Sequence, residues 1–170
     1  QPYMKKLIAF YSRADENYFD DGIKSVKVGS TEKVAEKMAE LLGADLFHIE
    51  QKEPYAADYY ECVKQAREDK ANHARPELVS LPDLSQYDEV YLGYPNYCGT
   101  MPMAVYTFLE SFEWSGKTIH PFCTHEGSGL AKTEKEIAQA AKGAKVTKGL
   151  AVSGSNLPSS KIKIENWAKA

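Results

Sequence analysis

The strongest constraint in this chain of 170 residues is a repeated order of short apolar segments, each followed by a segment of helical period. The apolar segments at 6–11, 44–49 and 89–94 read KLIAFY, ADLFHI and EVYLGY, as is typical of strands buried on both faces. Further strands are predicted at 118–124 and 145–152. Such a series predicts a parallel sheet, because parallel neighbours need a crossover connection that is usually a helix.

Five helices are predicted between and after these strands, at 31–42, 59–72, 102–112, 130–142 and 160–168. The first carries Val34, Met38 and Leu41 on one face and ends before Gly43. The tyrosines of the second are interpreted as packing against the sheet. The sum is an α/β fold with helices on both faces of the sheet, and a single domain over residues 1–170.

Charge and composition exclude several classes of function. The net charge of −3 gives no basic field, so nucleic acid is not an expected partner. No apolar run approaches the length of a membrane span, and no membrane partner is expected. Cys62, Cys98 and Cys123 lack the spacing of a zinc site or a dithiol pair, so no metal is predicted and reduced thiols in a cytoplasmic protein are expected.

The first residues are assigned separately. Met4 followed by two lysines resembles a native start, and residues 1–4 are expected to be an added or disordered terminus. A cleaved signal segment stays an open alternative, because the chain begins with Gln1.

The loop after the first strand is long and rich in turn formers, and it ends with Gly29-Ser30-Thr31 at a helix start. A helix N-terminus offers free N–H groups and a partial positive charge, which suits a phosphate. The alternative is that Ser30 or Thr31 only caps the helix. Neither a P-loop motif nor a G-x-G-x-x-G follows the strand, so a mononucleotide is favoured over a nucleoside triphosphate or a dinucleotide.

Two later loops follow the third and fourth strands, at 94–100 and 124–129. Both contain glycine and polar side chains, which allows close approach of the backbone to a flat ring. Ordinary turns are the alternative for each loop alone. The carboxyl ends of parallel strands share one edge of the sheet, so all three loops are expected to meet there.

With Y-S-R-A at 11–14, G-S-T at 29–31, Y-P-N-Y-C-G at 94–99 and T-H-E-G-S-G at 124–129, the chain resembles the flavodoxins, and among them a branch with an elongated phosphate-binding loop. The resemblance spans residues 6–167. It implies a three-layer sandwich with a five-stranded parallel sheet in the order 2-1-3-4-5. It also implies one non-covalent FMN, with its phosphate on the loop after the first strand and its ring between the two later loops.

The resemblance assigns a specific set of cofactor-binding residues and no catalytic side chain. Tyr97 is the candidate for stacking on the ring, and His125 for facing its N1 or O2 atoms. Tyr18 and Phe19 either cover the flavin edge or a substrate, or belong to a plain surface loop. The predicted FMN-binding residues are Ser12, Arg13, Ala14, Asn17, Gly29, Ser30, Thr31, Pro95, Asn96, Tyr97, Cys98, Gly99, Thr124, His125, Glu126, Gly127, Ser128 and Gly129.

The function implied by the resemblance is electron transfer to a redox partner protein, by a monomer or weak dimer. The 21 Lys and Arg against 24 Asp and Glu are more balanced than in the strongly acidic carrier flavodoxins. Electrostatic steering toward a basic partner would therefore be weak. Two alternatives stay open: an NAD(P)H-dependent FMN reductase of quinone-like or other small acceptors, and a flavin-binding module without turnover.

Overall fold

A parallel sheet forms the middle layer of the protein, in a computed structural model that describes residues 5–170. The predicted terminus at 1–4 lies outside the described residues. In chain order the elements are β1 (Lys5–Phe10), β2 (Asp15–Phe19), β3 (Gly22–Val26), α1 (Ser30–Leu42), β4 (Asp45–His48), α2 (Tyr59–Ala71), β5 (Tyr87–Pro95), α3 (Met103–Glu110), β6 (Thr118–His125), α4 (Thr133–Ala140), β7 (Lys145–Val146), β8 (Leu150–Ser153) and α5 (Lys161–Lys169).

The main sheet has the order β4-β1-β5-β6, with β7 and β8 both paired to the outer edge of β6. All of these pairs are parallel, so the predicted order 2-1-3-4-5 is confirmed. The predicted fifth strand at 145–152 is wrong in detail, because this segment forms two short strands, which gives the sheet six strands within residues 5–170. Between these two strands the Gly149 N–H donates to the Glu134 carboxylate at 2.7 Å. This amide therefore does not take part in the hydrogen bonds between strands.

Two apolar layers lie on opposite faces of the sheet, as the three-layer prediction requires. Leu92 and Tyr94 of β5 face one layer together with Phe108 of α3. Ile8 of β1 and Met38 of α1 lie in the other layer. Successive residues of a strand point to opposite faces, so a central strand must be apolar throughout.

The segment between β1 and α1 corrects the prediction of a long irregular loop. It contains an antiparallel hairpin, β2–β3, with Asp20 and Asp21 as its two-residue turn. The hairpin pairs only within itself and is largely solvent-accessible, so its strands lack the buried apolar run that reveals a core strand. The side chain of Arg13 stabilises the start of the hairpin. Its Nε donates to the Glu16 carbonyl and its Nη2 donates to the Ala57 carbonyl, both at 2.8 Å.

The helices also differ from prediction in small ways. The fourth helix begins at Thr133 rather than at 130. Ala131 has a left-handed φ of 50°, so it cannot be part of a right-handed helix. The second begins at Tyr59 as predicted, because the Asp58 carboxylate accepts the Glu61 N–H at 2.9 Å as an N-cap, and it ends one residue early, at Ala71. No helix in residues 5–170 has the length and apolar character needed to cross a membrane.

Candidate functional site

A cavity of about 380 Å³ opens at the carboxyl edge of the sheet. Its size lies within the range of small-molecule sites. The three predicted loops meet there, together with the hairpin and one face of α2. The predicted residues that line the cavity are Ser12, Arg13, Asn17, Ser30, Thr31, Pro95, Asn96, Tyr97, Cys98, Thr124, His125, Glu126 and Ser128.

Five predicted residues do not line the cavity, namely Ala14, Gly29, Gly99, Gly127 and Gly129. Each lies next to a lining residue, and two of these glycines are required by the geometry. A Cβ on Gly29 would lie 2.4 Å from both the Arg13 carbonyl oxygen and the Ser12 hydroxyl. Gly99 has a φ of 85°, which L side chains rarely adopt.

The start of α1 presents free hydrogen-bond donors to the cavity. Its N-cap is Gly29, which has no side chain, so the alternative that Ser30 or Thr31 only caps the helix is wrong. Ser12 Oγ accepts the Glu32 N–H at 3.1 Å, whereas the N–H groups of Ser30 and Thr31 have no acceptor among residues 5–170. Unpaired N–H groups at a helix N-terminus attract an anion. We call Ser12, Ser30 and Thr31 the anion cradle.

The hydroxyl of Thr31 has a second role. It lies 2.7 Å from the hydroxyl of Thr124, and both side chains are buried. This bond joins the start of α1 to the end of β6, so the anion cradle and the loop after β6 are fixed relative to each other.

The loop after β5 closes in a two-residue turn at Cys98 and Gly99. Tyr97 and Thr100 exchange backbone hydrogen bonds of 2.7 and 3.1 Å across it, and Cys98 has a positive φ of 56°. The peptide between Cys98 and Gly99 is held at both ends. Its carbonyl accepts from Lys70 Nζ of α2, and its N–H donates to Asn96 Oδ1 at 3.0 Å.

The ring of Tyr97 lines the cavity but is packed edge-on against Tyr11, with ring centroids 5.8 Å apart. Its hydroxyl is buried and has no hydrogen-bond partner within the described residues. Burial raises the pKa of Tyr97 well above 10, so the hydroxyl is neutral. A buried hydroxyl of this kind is expected to gain a partner from a ligand or water.

His125 and Glu126 line the cavity after β6. Nδ1 of His125 accepts the Gly127 N–H at 2.8 Å, so the neutral ring carries its proton on Nε2. Burial lowers the pKa of His125 below 6.5, although Glu126 opposes this shift. The Glu126 carboxylate accepts from the Ser155 hydroxyl and lies against Gly154, where a Cβ would approach it to 2.5 Å.

Sequence reasoning missed one wall of the cavity. The spacing of Tyr59, Cys62, Val63, Ala66 and Arg67 places them on one face of α2, which lines the cavity rather than packing only on the sheet. This spacing predicts that the residues share one face of the helix, but it does not distinguish a face that lines a cavity from one that is buried in a core. The hairpin adds Tyr18 and Phe19, and Gly154 completes the lining. No group of three His, Cys, Asp or Glu side chains in residues 5–170 could hold a metal ion.

A sequence model of the family described as Flavodoxin matches residues 23–170, which is most of the chain. The chain belongs to the flavodoxin family. The predicted resemblance and fold class are therefore confirmed. No curated protein matches this flavodoxin in sequence.

Solved structures agree with the family assignment. A protein from Bacteroides uniformis, described as a flavoprotein, is 27% identical over 98% of this chain and 99% of its own, with a TM-score of 0.80. A flavoprotein from Lactobacillus acidophilus in complex with FMN is 23% identical over 92% and 98%, with a TM-score of 0.68. A Fusobacterium nucleatum flavodoxin bound to FMN is 16% identical over 98% and 96%, with a TM-score of 0.56. These similarities agree with the fold of this chain.

Proposed function

We propose that this flavodoxin holds one FMN non-covalently in the cavity and uses it for electron transfer. The observation that carries the proposal is the pair of unpaired N–H groups of Ser30 and Thr31 at a cavity that the two later loops also line. Bound FMN supplies one-electron and two-electron redox chemistry, and the protein contributes orientation, exclusion of water and electrostatics.

The residues present fit such a cofactor. The anion cradle would hold the phosphate through N–H groups and hydroxyls, without a basic side chain. Asn17 lines the cavity nearby, and its amide already donates to the Arg13 carbonyl at 2.9 Å, which leaves its oxygen free for the ribityl chain. The loops at 95–99 and 124–129 would contact the ring. The unpartnered hydroxyl of Tyr97 is one group that such a ligand could satisfy.

His125 would contribute a hydrogen-bond donor. Because Nδ1 is occupied by the Gly127 N–H, only Nε2–H is free to donate toward a bound ring. The lowered pKa keeps the imidazole neutral near pH 7, so it holds this proton rather than a full positive charge.

The anion cradle predicts a difference in affinity between FMN and riboflavin. We expect the apoprotein to take up FMN and to bind riboflavin much more weakly, because riboflavin lacks the phosphate. Fluorescence titration with each flavin measures both affinities. Equal affinities would overturn the cradle assignment, and failure to bind FMN would overturn the function.

A second candidate is reduction of a small acceptor. It is favoured by the aromatic side chains of Tyr18 and Tyr59, which line the cavity where a second molecule could contact the flavin. Anaerobic mixing of the FMN-loaded protein with NADH or NADPH separates the candidates. Direct oxidation of the nicotinamide supports a reductase, and reduction only by a redox protein supports a carrier. FMN binding without either reaction supports a binding module.

The predicted monomer or weak dimer and the cytoplasmic location stay predictions.

A further inference from the structure

Arg67 stands apart from the other two arginines of the chain. Arg13 donates to two backbone carbonyls, and Arg75 forms an ion pair with Glu110 at 2.8 Å. Arg67 has no hydrogen-bond or ion-pair partner among residues 5–170, yet it lines the cavity. An arginine without a partner at the wall of a ligand cavity is available to bind an anion.

Lys70 adds to the positive charge at the same place. It lies three residues after Arg67 on α2, so the two side chains are neighbours on one helix face. Its ammonium donates to the Cys98 carbonyl, which is neutral, so no carboxylate offsets its charge there. The contact with Cys98 places the Lys70 ammonium beside the loop after β5.

The cofactor phosphate does not account for this pair. The anion cradle is built from N–H groups and hydroxyls at the start of α1, where Ser12 already contacts the Glu32 N–H. Arg67 belongs to a different element, α2, and lines the cavity together with residues of the two later loops.

Aromatic side chains lie along the same wall. Tyr59 begins α2 and Tyr18 lies on the hairpin, with ring centroids 6.2 Å apart, and both line the cavity. Tyr18 is 52% exposed, so its ring is accessible from solvent. Aromatic rings and an arginine that line one cavity suit a ligand that is both planar and anionic.

We propose that Arg67, Tyr18 and Tyr59 form a site for a second molecule, a planar aromatic anion such as an aromatic carboxylate or sulfonate. Arg67 binds its anionic group, and the two tyrosines contact its ring. This inference rests on the proposed function and names the class of small molecule that meets the flavin.

The test uses a redox-inert probe and the FMN-loaded protein. Binding of 2-naphthalenesulfonate is measured by isothermal titration calorimetry and by its effect on the flavin absorption spectrum, with 2-naphthylmethanol as the neutral analogue. We expect Arg67→Gln to weaken the sulfonate about three- to tenfold, as for a charge-assisted contact open to solvent. Arg67→Lys should retain part of the affinity, and added salt should weaken binding of the sulfonate only.

Lys64→Gln is the matched control, because Lys64 is an exposed cation of the same helix that does not line the cavity. It should leave the affinity for the sulfonate unchanged. Equal effects of the Arg67 and Lys64 variants, or equal binding of the neutral analogue, would overturn the inference.

FMN affinity of each variant is measured first. If Arg67→Gln weakens FMN itself, Arg67 serves the cofactor and the inference fails. If FMN binds normally and the affinity for the sulfonate does not depend on Arg67, the inference fails while the proposed function stands. If the unmodified protein does not bind FMN, the proposed function fails.

Discussion

The side-chain amide of Asn96 donates a hydrogen bond of 3.0 Å to the carbonyl oxygen of Gly129. The side-chain oxygen of Asn96 accepts the Gly99 N–H, also at 3.0 Å. One side chain thus connects the loop after β5 to the loop after β6, the two segments that are proposed to hold the flavin ring.

We expect Asn96→Ala to weaken FMN binding about fivefold or more, because it removes two hydrogen bonds that each contribute about 0.5 to 1.5 kcal/mol. Fluorescence titration of the apoprotein with FMN measures the change. Asn166→Ala, at an exposed position of α5, is the control and should leave the affinity unaltered. Unchanged affinity of the Asn96 variant would show that the two loops are positioned without this bond.

Tyr94 and Tyr97 both have a buried hydroxyl, and removal of that hydroxyl should change the stability of the apoprotein in opposite directions. Tyr97→Phe should stabilise the apoprotein by about 1 kcal/mol, because it removes a buried hydroxyl without a partner. Tyr94→Phe should destabilise it by about 1 kcal/mol, because the Tyr94 hydroxyl donates to Thr133 Oγ1 at 2.7 Å. Urea unfolding measures both free energies. Destabilisation by Tyr97→Phe would indicate that water already satisfies its hydroxyl.

Gly29→Ala should destabilise the apoprotein by about 2 to 3 kcal/mol, since the new Cβ would overlap the Arg13 carbonyl oxygen and the Ser12 hydroxyl. Gly43→Ala is the comparison, because Gly43 ends α1 with a φ of 61° and open space around it. Gly43→Ala should lower the free energy of unfolding by about 1 kcal/mol, because only the unfavourable backbone conformation contributes. Equal losses in thermal or urea unfolding would mean that residues 12 and 13 move away from position 29 at little cost.

The lowered pKa of His125 predicts a pH dependence of stability. The unfolded chain binds a proton at this side chain more readily than the folded chain does, so the stability contributed by neutral His125 is present above about pH 6.5. It is lost as the pH falls toward the folded pKa. We expect His125→Gln to flatten the rise in apoprotein stability between about pH 5 and about pH 7. An NMR titration reports the pKa of His125 directly.

The three thiols should differ in reactivity. Burial raises the pKa of Cys123 to about 12 and also raises the pKa of Cys62, whereas Cys98 is exposed. We expect one thiol per chain to react rapidly with Ellman's reagent in the folded apoprotein, and Cys98→Ser to abolish this fast phase. Because Cys98 lines the cavity, saturating FMN should slow its labelling. Identical rates with and without FMN would argue against contact between Cys98 and the cofactor.

The sequence was sufficient for the main sheet and for most of the predicted site. Central strands such as β5 are apolar along most of their length, and a short run of this kind is typical of a strand covered on both faces. Strand order then brings the ends of β1, β5 and β6 to one edge, so Ser12, Asn96 and His125 line one cavity. These predictions needed no knowledge of side-chain packing.

The remaining features depend on tertiary contacts that local patterns do not encode. The hairpin strands contain Asp15 and Asn17 and pair only with each other, so turn chemistry dominates their sequence. Arg67 lies on a helix face whose spacing is the same whether it covers a core or a cavity. The break between β7 and β8 arises because Glu134, from a different element, accepts the Gly149 N–H.

The hairpin leaves the fold and returns to it at almost the same point, since Gly29 packs directly against Arg13. Neither of its strands pairs with the main sheet. It is therefore an insertion whose length can change without altering the strand pairing of the main sheet, while its residues Asn17 and Tyr18 line the cavity. Divergence among relatives in the molecules they admit should concentrate in this segment, and grafting the hairpin of one relative onto another is a direct way to exchange that preference.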